Sequence, residues 1–140
     1  MTLPLPIAAI RPATPDDDPI VYDGWSASMA DELDIEDQEE RKRFKRGQKP
    51  IIQALRARGA TLVAASKDGR VMGFICWEPP DVLHFVYVKK PFRQGQIARR
   101  LVAAAGLPRA TRASHSTSWG LPRLARLFEQ LTHHPELGAP

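Results

Sequence analysis

The stretch that most constrains the fold is VLHFVYVKKPFRQGQIARRLV, residues 82–102. Its first part, Val82–Val88, has the length and the β-branched and aromatic content of a strand. A basic turn follows at 89–93 together with Gly95, and apolar residues then recur at helical spacing over 94–105. The stretch therefore predicts a strand, a basic glycine-containing turn and a helix.

A turn of this composition in front of a helix favours anions. The first N–H groups of a helix lack intrahelical partners, and the helix dipole adds positive potential at the same end. Lysine and arginine side chains around the turn contribute charge-assisted hydrogen bonds. A phosphate or pyrophosphate fits such a site, and an ordinary β–α connection with a solvated basic turn is the alternative.

The same segment resembles the acyl-CoA-binding segment of the GCN5-related N-acetyltransferases (GNAT), which place V-x-V before P-x-[YF]-R-x-x-G-x-[GA]. The matching residues are Val86, Tyr87, Val88, Pro91, Phe92, Arg93 and Ala98. Gln96 stands where the family has its first glycine, and Gly95 lies one residue earlier. Either the Gln96 side chain crowds the phosphate, or Gly95 replaces the missing glycine through a small shift of the loop.

The resemblance extends to the N-terminal part, where residues 10–17 (IRPATPDD) are similar to the family's first strand and the turn into its first helix. Residues 83–102 also resemble short acetyltransferase-like proteins of bacteriophages. The resemblance implies an enzyme that transfers an acetyl group from acetyl-CoA, its co-substrate, to an amine. A non-catalytic protein of the same fold that binds a partner or nucleic acid, in a phage accessory or DNA-modification role, is the alternative.

The resemblance also implies which residues hold the CoA thioester. The main chain of Val86 and Val88 would pair with the pantetheine arm, and an amide at Tyr87 or Val88 would polarise the thioester carbonyl. The implied cofactor-binding set is Val86, Tyr87, Val88, Lys89, Arg93, Gln94, Gly95, Gln96, Ile97, Ala98 and Arg99.

Three residues are candidates for moving the proton of the amine. His84 lies on the predicted cofactor strand and titrates near neutral pH, and strand alternation places it on the face of Val86 and Val88. Glu78, at the end of the preceding strand, is the second candidate. His115, in the polar group SHSTSW after the last strand, is a candidate for the acceptor site or for a general acid. A structural histidine at position 84 and a solvated strand end at position 78 are the alternatives.

Periodicity and turn residues predict one α/β domain over residues 1–140, with a mixed GNAT-like sheet that has helices on its faces. Loose tails are expected at 1–6 and 132–140. We expect the fold to be truncated after the last helix, where the family usually adds two strands. Strands are predicted at 7–11, 60–66, 71–78, 82–88 and 110–117, and helices at 19–29, 41–49, 50–59, 94–105 and 121–131.

Charge is divided unevenly along the chain. Residues 1–40 hold eleven acids and one base, whereas residues 41–140 hold five acids and nineteen bases. The basic part suits the phosphates of CoA and would also suit nucleic acid, unless the two charge sets pair with each other. The basic run 41–49 (RKRFKRGQK) is more typical of a solvated helix face than of a nucleic-acid contact.

Other sequence features favour a cytoplasmic protein. No apolar run reaches the length of a membrane span, and the N-terminus lacks the pattern of a signal peptide. The single cysteine, Cys76, lies in the apolar run VMGFICW and is predicted to be a buried, inert thiol. We expect no metal site, since no histidine and cysteine spacing suits zinc. A homodimer remains open.

Overall fold

The computed structural model describes residues 9–93, 96–115, 126, 128 and 130–140. Its centre is a six-stranded sheet in the order β1 to β6. Neighbouring strands from β1 to β4 are antiparallel, whereas β4–β5 and β5–β6 are parallel, which confirms the predicted mixed sheet. The strands are β1 Ala9–Pro12, β2 Ala60–Ala65, β3 Val71–Glu78, β4 Val82–Val88, β5 Ala110–Ala113 and β6 Gln130–His133.

Within the described residues, three α-helices cover the two faces of the sheet: α1 Asp18–Glu32, α2 Gln38–Arg58 and α3 Ile97–Ala105. One core cluster joins α1 and α2 to the sheet through Trp25, Ile52, Leu55, Val63, Phe74 and Phe85. The other joins α3 to the opposite face through Met72, Ile75, Leu83, Val88, Ile97 and Leu101. Burial of apolar side chains on both faces therefore holds the sheet and the helices together.

The region between α1 and β2 differs from the prediction of two helices divided at Pro50. Helix α2 is continuous from Gln38 to Arg58, with Pro50 inside it. Asp37 caps its start, where its carboxylate accepts the Glu40 N–H at 3.0 Å. Proline weakens a helix locally, but Ile52 and Leu55 immediately after it are buried in the core. Tertiary packing keeps the helix continuous where the sequence predicts a break.

Ion pairs between α1 and α2 explain part of the uneven charge distribution. Arg41 contacts Asp31 at 2.8 Å, Arg56 contacts Asp18 at 2.8 Å, and Lys45 contacts Asp23. Acids from the first forty residues thus pair with bases that follow them, as the alternative interpretation of the charge pattern proposed. The field of the basic segment is correspondingly weaker than its sequence suggests.

Several element boundaries also differ. Helix α1 extends beyond the predicted 19–29, α3 begins at Ile97 instead of position 94, and β5 ends at Ala113. Residues 116 and 117 lie outside the described residues, as do positions 1–8.

The C-terminal region departs most from the prediction. Leu131 belongs to strand β6, which pairs in parallel with β5, and not to the end of a helix. The rest of the predicted helix 121–131 lies outside the described residues except for Arg126, Phe128 and Gln130. A short 3-10 helix follows at Pro135–Gly138, where a loose tail was expected. Pairing with β5 organises this segment, an interaction that local sequence does not reveal.

Each helix in the described part of the chain is too short or too polar to span a lipid bilayer. Cys76 is fully buried, and burial raises the pKa of its thiol to about 11, so it is inert at neutral pH as predicted.

Candidate active site

The candidate site lies where β4 loses its pairing with β5. Among the described residues, the ladder between these strands consists of Val82 opposite Arg112 and Leu83 opposite Ala113. One further bond, from the Ser114 amide to the Leu83 carbonyl, measures 3.0 Å. Strand β4 continues five residues beyond Leu83, so its edge from His84 onward has no ladder partner in the described part of β5.

The β3 ladder decides which main-chain groups face this open edge. The Lys89 amide donates to the Met72 carbonyl at 2.9 Å. Hydrogen-bonding direction alternates along an antiparallel strand, so the main chain of Tyr87 faces β3, whereas that of Val86 and Val88 faces the open edge. Of the two amides predicted to polarise a carbonyl, that of Val88 therefore has the suitable direction.

The turn after β4 places Arg93 back against the strand. Residues Lys90–Phe92 form a single 3-10 turn, and Nε of Arg93 then donates to the Val88 carbonyl at 2.9 Å. This bond fixes the guanidinium beside the open edge of β4. The Arg93 residue is exposed on the protein surface.

Gln96 occupies the position immediately before α3 in the left-handed conformation, with φ of 60°. Its carbonyl accepts the Arg100 amide at 3.1 Å and so begins the helix. Glycine adopts this conformation without strain, whereas a residue with a Cβ atom does not. The backbone thus has the shape that suits the family's glycine, although glutamine occupies the position. Gln94 and Gly95 lie outside the described residues.

A β-bulge sets the orientation of His84. Cys76 pairs with Phe85 while Trp77 pairs with Leu83, so His84 is the extra residue of β4. Bulges redirect side chains and frequently occur next to active sites. The predicted alternation is wrong at this point, because Leu83 instead packs with Val86 and Val88 in the α3-side core.

Glu78, His84 and His115, the three residues predicted to move a proton, are joined through Ser114 in one chain of hydrogen bonds. We call these four residues the polar chain. Nε2 of His84 lies 3.1 Å from Oε1 of Glu78, and Nδ1 of His84 lies 2.7 Å from Oγ of Ser114. Oγ of Ser114 lies 2.8 Å from Nδ1 of His115. Nε of Arg58 donates to Oε1 of Glu78 at 3.2 Å. The sequence indicated the two histidines and the glutamate, but not their mutual contact.

Burial and hydrogen bonding set the charge states of the polar chain. Burial lowers the pKa of His84, although the neighbouring carboxylate of Glu78 opposes the shift. The pKa of His115 is lowered to about 4, mainly by burial and to a smaller extent by the nearby His84 and His133. Burial raises the pKa of the Glu78 carboxyl, but the hydrogen bonds from His84 and Arg58 outweigh burial and keep that pKa below its usual value. Both histidines are therefore neutral and Glu78 is ionised at neutral pH.

Aromatic rings and the C-terminal segment enclose His115. Its ring meets Trp25 edge-on with 5.4 Å between centroids, and Trp25 stacks on Phe85 at 5.1 Å. Arg58 donates to the carbonyls of Ala139 at 2.9 Å and Leu137 at 3.3 Å, which holds the C-terminal segment in place. A Cβ atom on the intervening Gly138 would lie 3.0 Å from Cε1 of His115.

The comparisons with known proteins give the family. The model of the acetyltransferase (GNAT) family matches residues 21–106, more than half of the chain. The chain belongs to the GNAT acetyltransferase family. A search of curated proteins gave no match.

Solved structures share the GNAT fold with this chain at low sequence identity. A GCN5-related N-acetyltransferase from Rhodopseudomonas palustris has a TM-score of 0.53 and 21% identity over 74% of this chain and 66% of its own, just under two thirds. The histone acetyltransferase HPA2 and related acetyltransferase from Corynebacterium glutamicum has a TM-score of 0.56 and 16% identity over 69% and 68%. The PaiA N-acetyltransferase from Thermoplasma acidophilum, in complex with coenzyme A, has a TM-score of 0.53 and 19% identity over 70% and 69%.

The candidate site combines the three predicted residues with Ser114 and Arg58, which were not among the predicted site residues. Ser114 and Arg58 enter the site because β5 and the end of α2 lie beside β3 and β4. The sequence signals were that Ser114 lies in the polar group SHSTSW, within the predicted strand 110–117, and that Arg58 is a basic residue near the end of a helix. Among the described residues, no group of His, Cys, Asp and Glu side chains could hold a metal ion.

Proposed function

We propose that this chain is an N-acyltransferase that transfers an acetyl group from acetyl-CoA to an amine. The observation that carries the proposal is the position of the polar chain at the point where the open edge of β4 begins. Family membership supports the use of an acyl-CoA, and the choice of acetyl is the finer part of the proposal. When bound, acetyl-CoA supplies an acetyl group activated as a thioester.

The described residues fit such a co-substrate. The main-chain groups of Val86 and Val88 on the open edge would pair with the pantetheine arm, in the manner of an added strand. The Val88 amide would polarise the thioester carbonyl. The start of α3, with Gln96, Ile97, Ala98 and Arg99, would receive the pyrophosphate beside Arg93 and Lys89. Gln94 and Gly95 complete the proposed set by sequence alone.

His84 and Glu78 are proposed as the base that holds the amine proton, with His115 toward the acceptor. A carboxylate hydrogen-bonded to an imidazole fixes its tautomer and stabilises the imidazolium once it forms. Arg58 keeps Glu78 ionised and in position. The acceptor that we propose is an amine of a small molecule, a protein or a modified base, in the cytoplasm.

Isothermal titration with acetyl-CoA, and with CoA alone as the control, tests the proposal. We expect micromolar binding of both, followed by acetyl-dependent release of free CoA when amines are supplied. Absence of binding at millimolar ligand would contradict the proposal. Such a result would instead favour a non-catalytic protein of this fold whose partner is a protein or a nucleic acid.

A further inference from the structure

Accessibility separates the members of the polar chain. The His84 residue is 1% exposed and Ser114 is 4% exposed, so an amine in solution cannot touch either of them in this conformation. The two ends of the polar chain, His115 and Glu78, are both partly exposed, and His115 is the end whose ring nitrogen Nε2 has no partner within the polar chain. A proton can therefore reach His84 only through neighbouring groups.

The charge states fix the direction of every hydrogen bond in the polar chain. Ionised Glu78 only accepts, so His84 donates through Nε2–H and its Nδ1 carries a lone pair. Ser114 must then donate its hydroxyl proton to Nδ1 of His84 and accept at Oγ from Nδ1–H of His115. The remaining nitrogen of His115, Nε2, consequently has a lone pair that none of the other members uses.

We propose that Ser114 and His115 form a proton relay between the acceptor amine and His84. This inference rests on the proposed function and adds the route of the proton. The N–H bond of the amine breaks as its proton binds Nε2 of His115. The Nδ1 proton of His115 moves to Oγ of Ser114, and the hydroxyl proton of Ser114 moves to Nδ1 of His84.

At the end of these transfers one proton has entered the polar chain, and its charge resides on His84. The carboxylate of Glu78, 3.1 Å away, balances the imidazolium, and Arg58 holds that carboxylate from the other side. The same transfers in reverse return the proton to water at His115 after the product has left. The CoA thiolate that leaves takes up a proton from water, so the balance needs no oxidant, metal or additional base.

Nitrogen-15 NMR of the histidine side chains tests the order of the hydrogen bonds without any substrate. At neutral pH we expect His84 as the Nε2–H tautomer and His115 as the less common Nδ1–H tautomer. Ser114→Ala should remove the coupling, so that the tautomer populations of both histidines change. The matched control is Ser26→Ala, because Ser26 is an equally buried serine whose hydroxyl bonds the Tyr22 carbonyl.

The outcome for His115 decides this part of the proposal. Detection of His115 as the Nε2–H tautomer in the wild-type protein would overturn the relay, because Nε2 would then carry a proton and could not accept another. The relay would equally be overturned if Ser114→Ala left the tautomers of both histidines unchanged.

Turnover supplies the second readout, with acetyl-CoA as donor and spermidine, a lysine-containing peptide and an aminoglycoside as amine probes. Since general base catalysis typically contributes about 100-fold or more, we expect Ser114→Ala to lower kcat by about that factor. The dissociation constant of acetyl-CoA should stay unchanged, and Ser26→Ala should behave as wild type. Wild-type kcat in Ser114→Ala would overturn the relay.

The two readouts separate the relay from the proposed function. If the wild-type protein binds acetyl-CoA but acetylates none of the probes, the catalytic role fails while the tautomers still show whether the ordered chain exists. If it turns over and His115 has the wrong tautomer, the acyltransferase proposal survives and the relay does not.

Discussion

The two ends of strand β4 are built in different ways. At its C-terminal end, the candidate phosphate site comes from one continuous segment in which strand, turn and helix follow each other directly. At its N-terminal end, the polar chain draws its residues from β3, from β4 and from the segment directly after β5, and Arg58 of α2 bonds to it. The first site is a product of local chain geometry, whereas the second exists only after the sheet has formed.

The physical environment of the two ends differs as well. Arg93 and Arg99 are exposed, so their charges are solvated and the attraction that they exert depends on ionic strength. His84 and Ser114 are buried, and there the cost of ionisation decides which nitrogen carries a proton. Salt should therefore affect the phosphate site more, and pH should affect the polar chain more.

The largest expected effect is on stability in acid. The unfolded chain protonates His115 near pH 6.5, whereas in the folded protein its pKa is about 4. Between these two pH values the unfolded state binds the proton and the folded state does not. The free energy of unfolding therefore falls as the pH decreases from 6.5 to about 4. At about 1.4 kcal/mol per pKa unit, the loss from this residue reaches about 3 kcal/mol.

Urea denaturation of the wild type and His115→Asn over this pH range measures the effect. The asparagine cannot take up a proton, so its free energy of unfolding should fall less steeply toward low pH. His84, whose pKa is also lowered, contributes in the same direction in both proteins and cancels in the comparison. Identical slopes would contradict a neutral, buried His115.

A second effect concerns the other end of β4. Replacing Arg93 by glutamate should weaken CoA binding by about 10- to 100-fold, since charge-assisted hydrogen bonds contribute about 1.5–3 kcal/mol. The control is Arg100→Glu, which makes the same charge change at an exposed position of α3 outside the proposed set. Titration calorimetry at low and high salt measures both variants.

The histidine NMR spectrum of Arg93→Glu sharpens the comparison, because the two ends of β4 should respond independently. We expect the tautomers of His84 and His115 to match the wild type. Unchanged CoA affinity in Arg93→Glu would remove the pyrophosphate assignment, and an equal loss in Arg100→Glu would show that only net charge matters.

The sequence predicts the regular part of the molecule well, for identifiable physical reasons. Strands β3 and β4 and the helix after them carry strong apolar patterns, and the predicted bounds of β3 and β4 match the structure. The tertiary contacts of these elements favour the same secondary structure that their local sequence favours. The GNAT resemblance depends on the same segment, which is why the family could be inferred from the sequence.

Tertiary interactions explain where prediction from sequence fails. Pro50 would end an isolated helix, but packing of Ile52 and Leu55 keeps α2 intact. The bulge at His84 depends on the register between β3 and β4, and a strand pattern alone cannot reveal a register shift. Strand β6 forms only beside β5. The polar chain also depends on tertiary contacts. Its two histidines and its glutamate could therefore be predicted individually from the sequence, but their contact with one another could not.

The smallest effect concerns Gln96, the one described residue of the proposed phosphate loop with positive φ. Gln96→Gly should raise the free energy of unfolding by about 1 kcal/mol at most, because glycine relieves the left-handed strain but gains entropy in the unfolded chain. Affinity for CoA should stay equal or improve. Gln96→Ala is the control, since alanine keeps the Cβ atom and should bring no gain in stability. If Gln96→Gly instead weakened CoA binding strongly while Gln96→Ala did likewise, the glutamine side chain itself would contact the ligand, and the loop would differ from the family's in chemistry as well as in sequence.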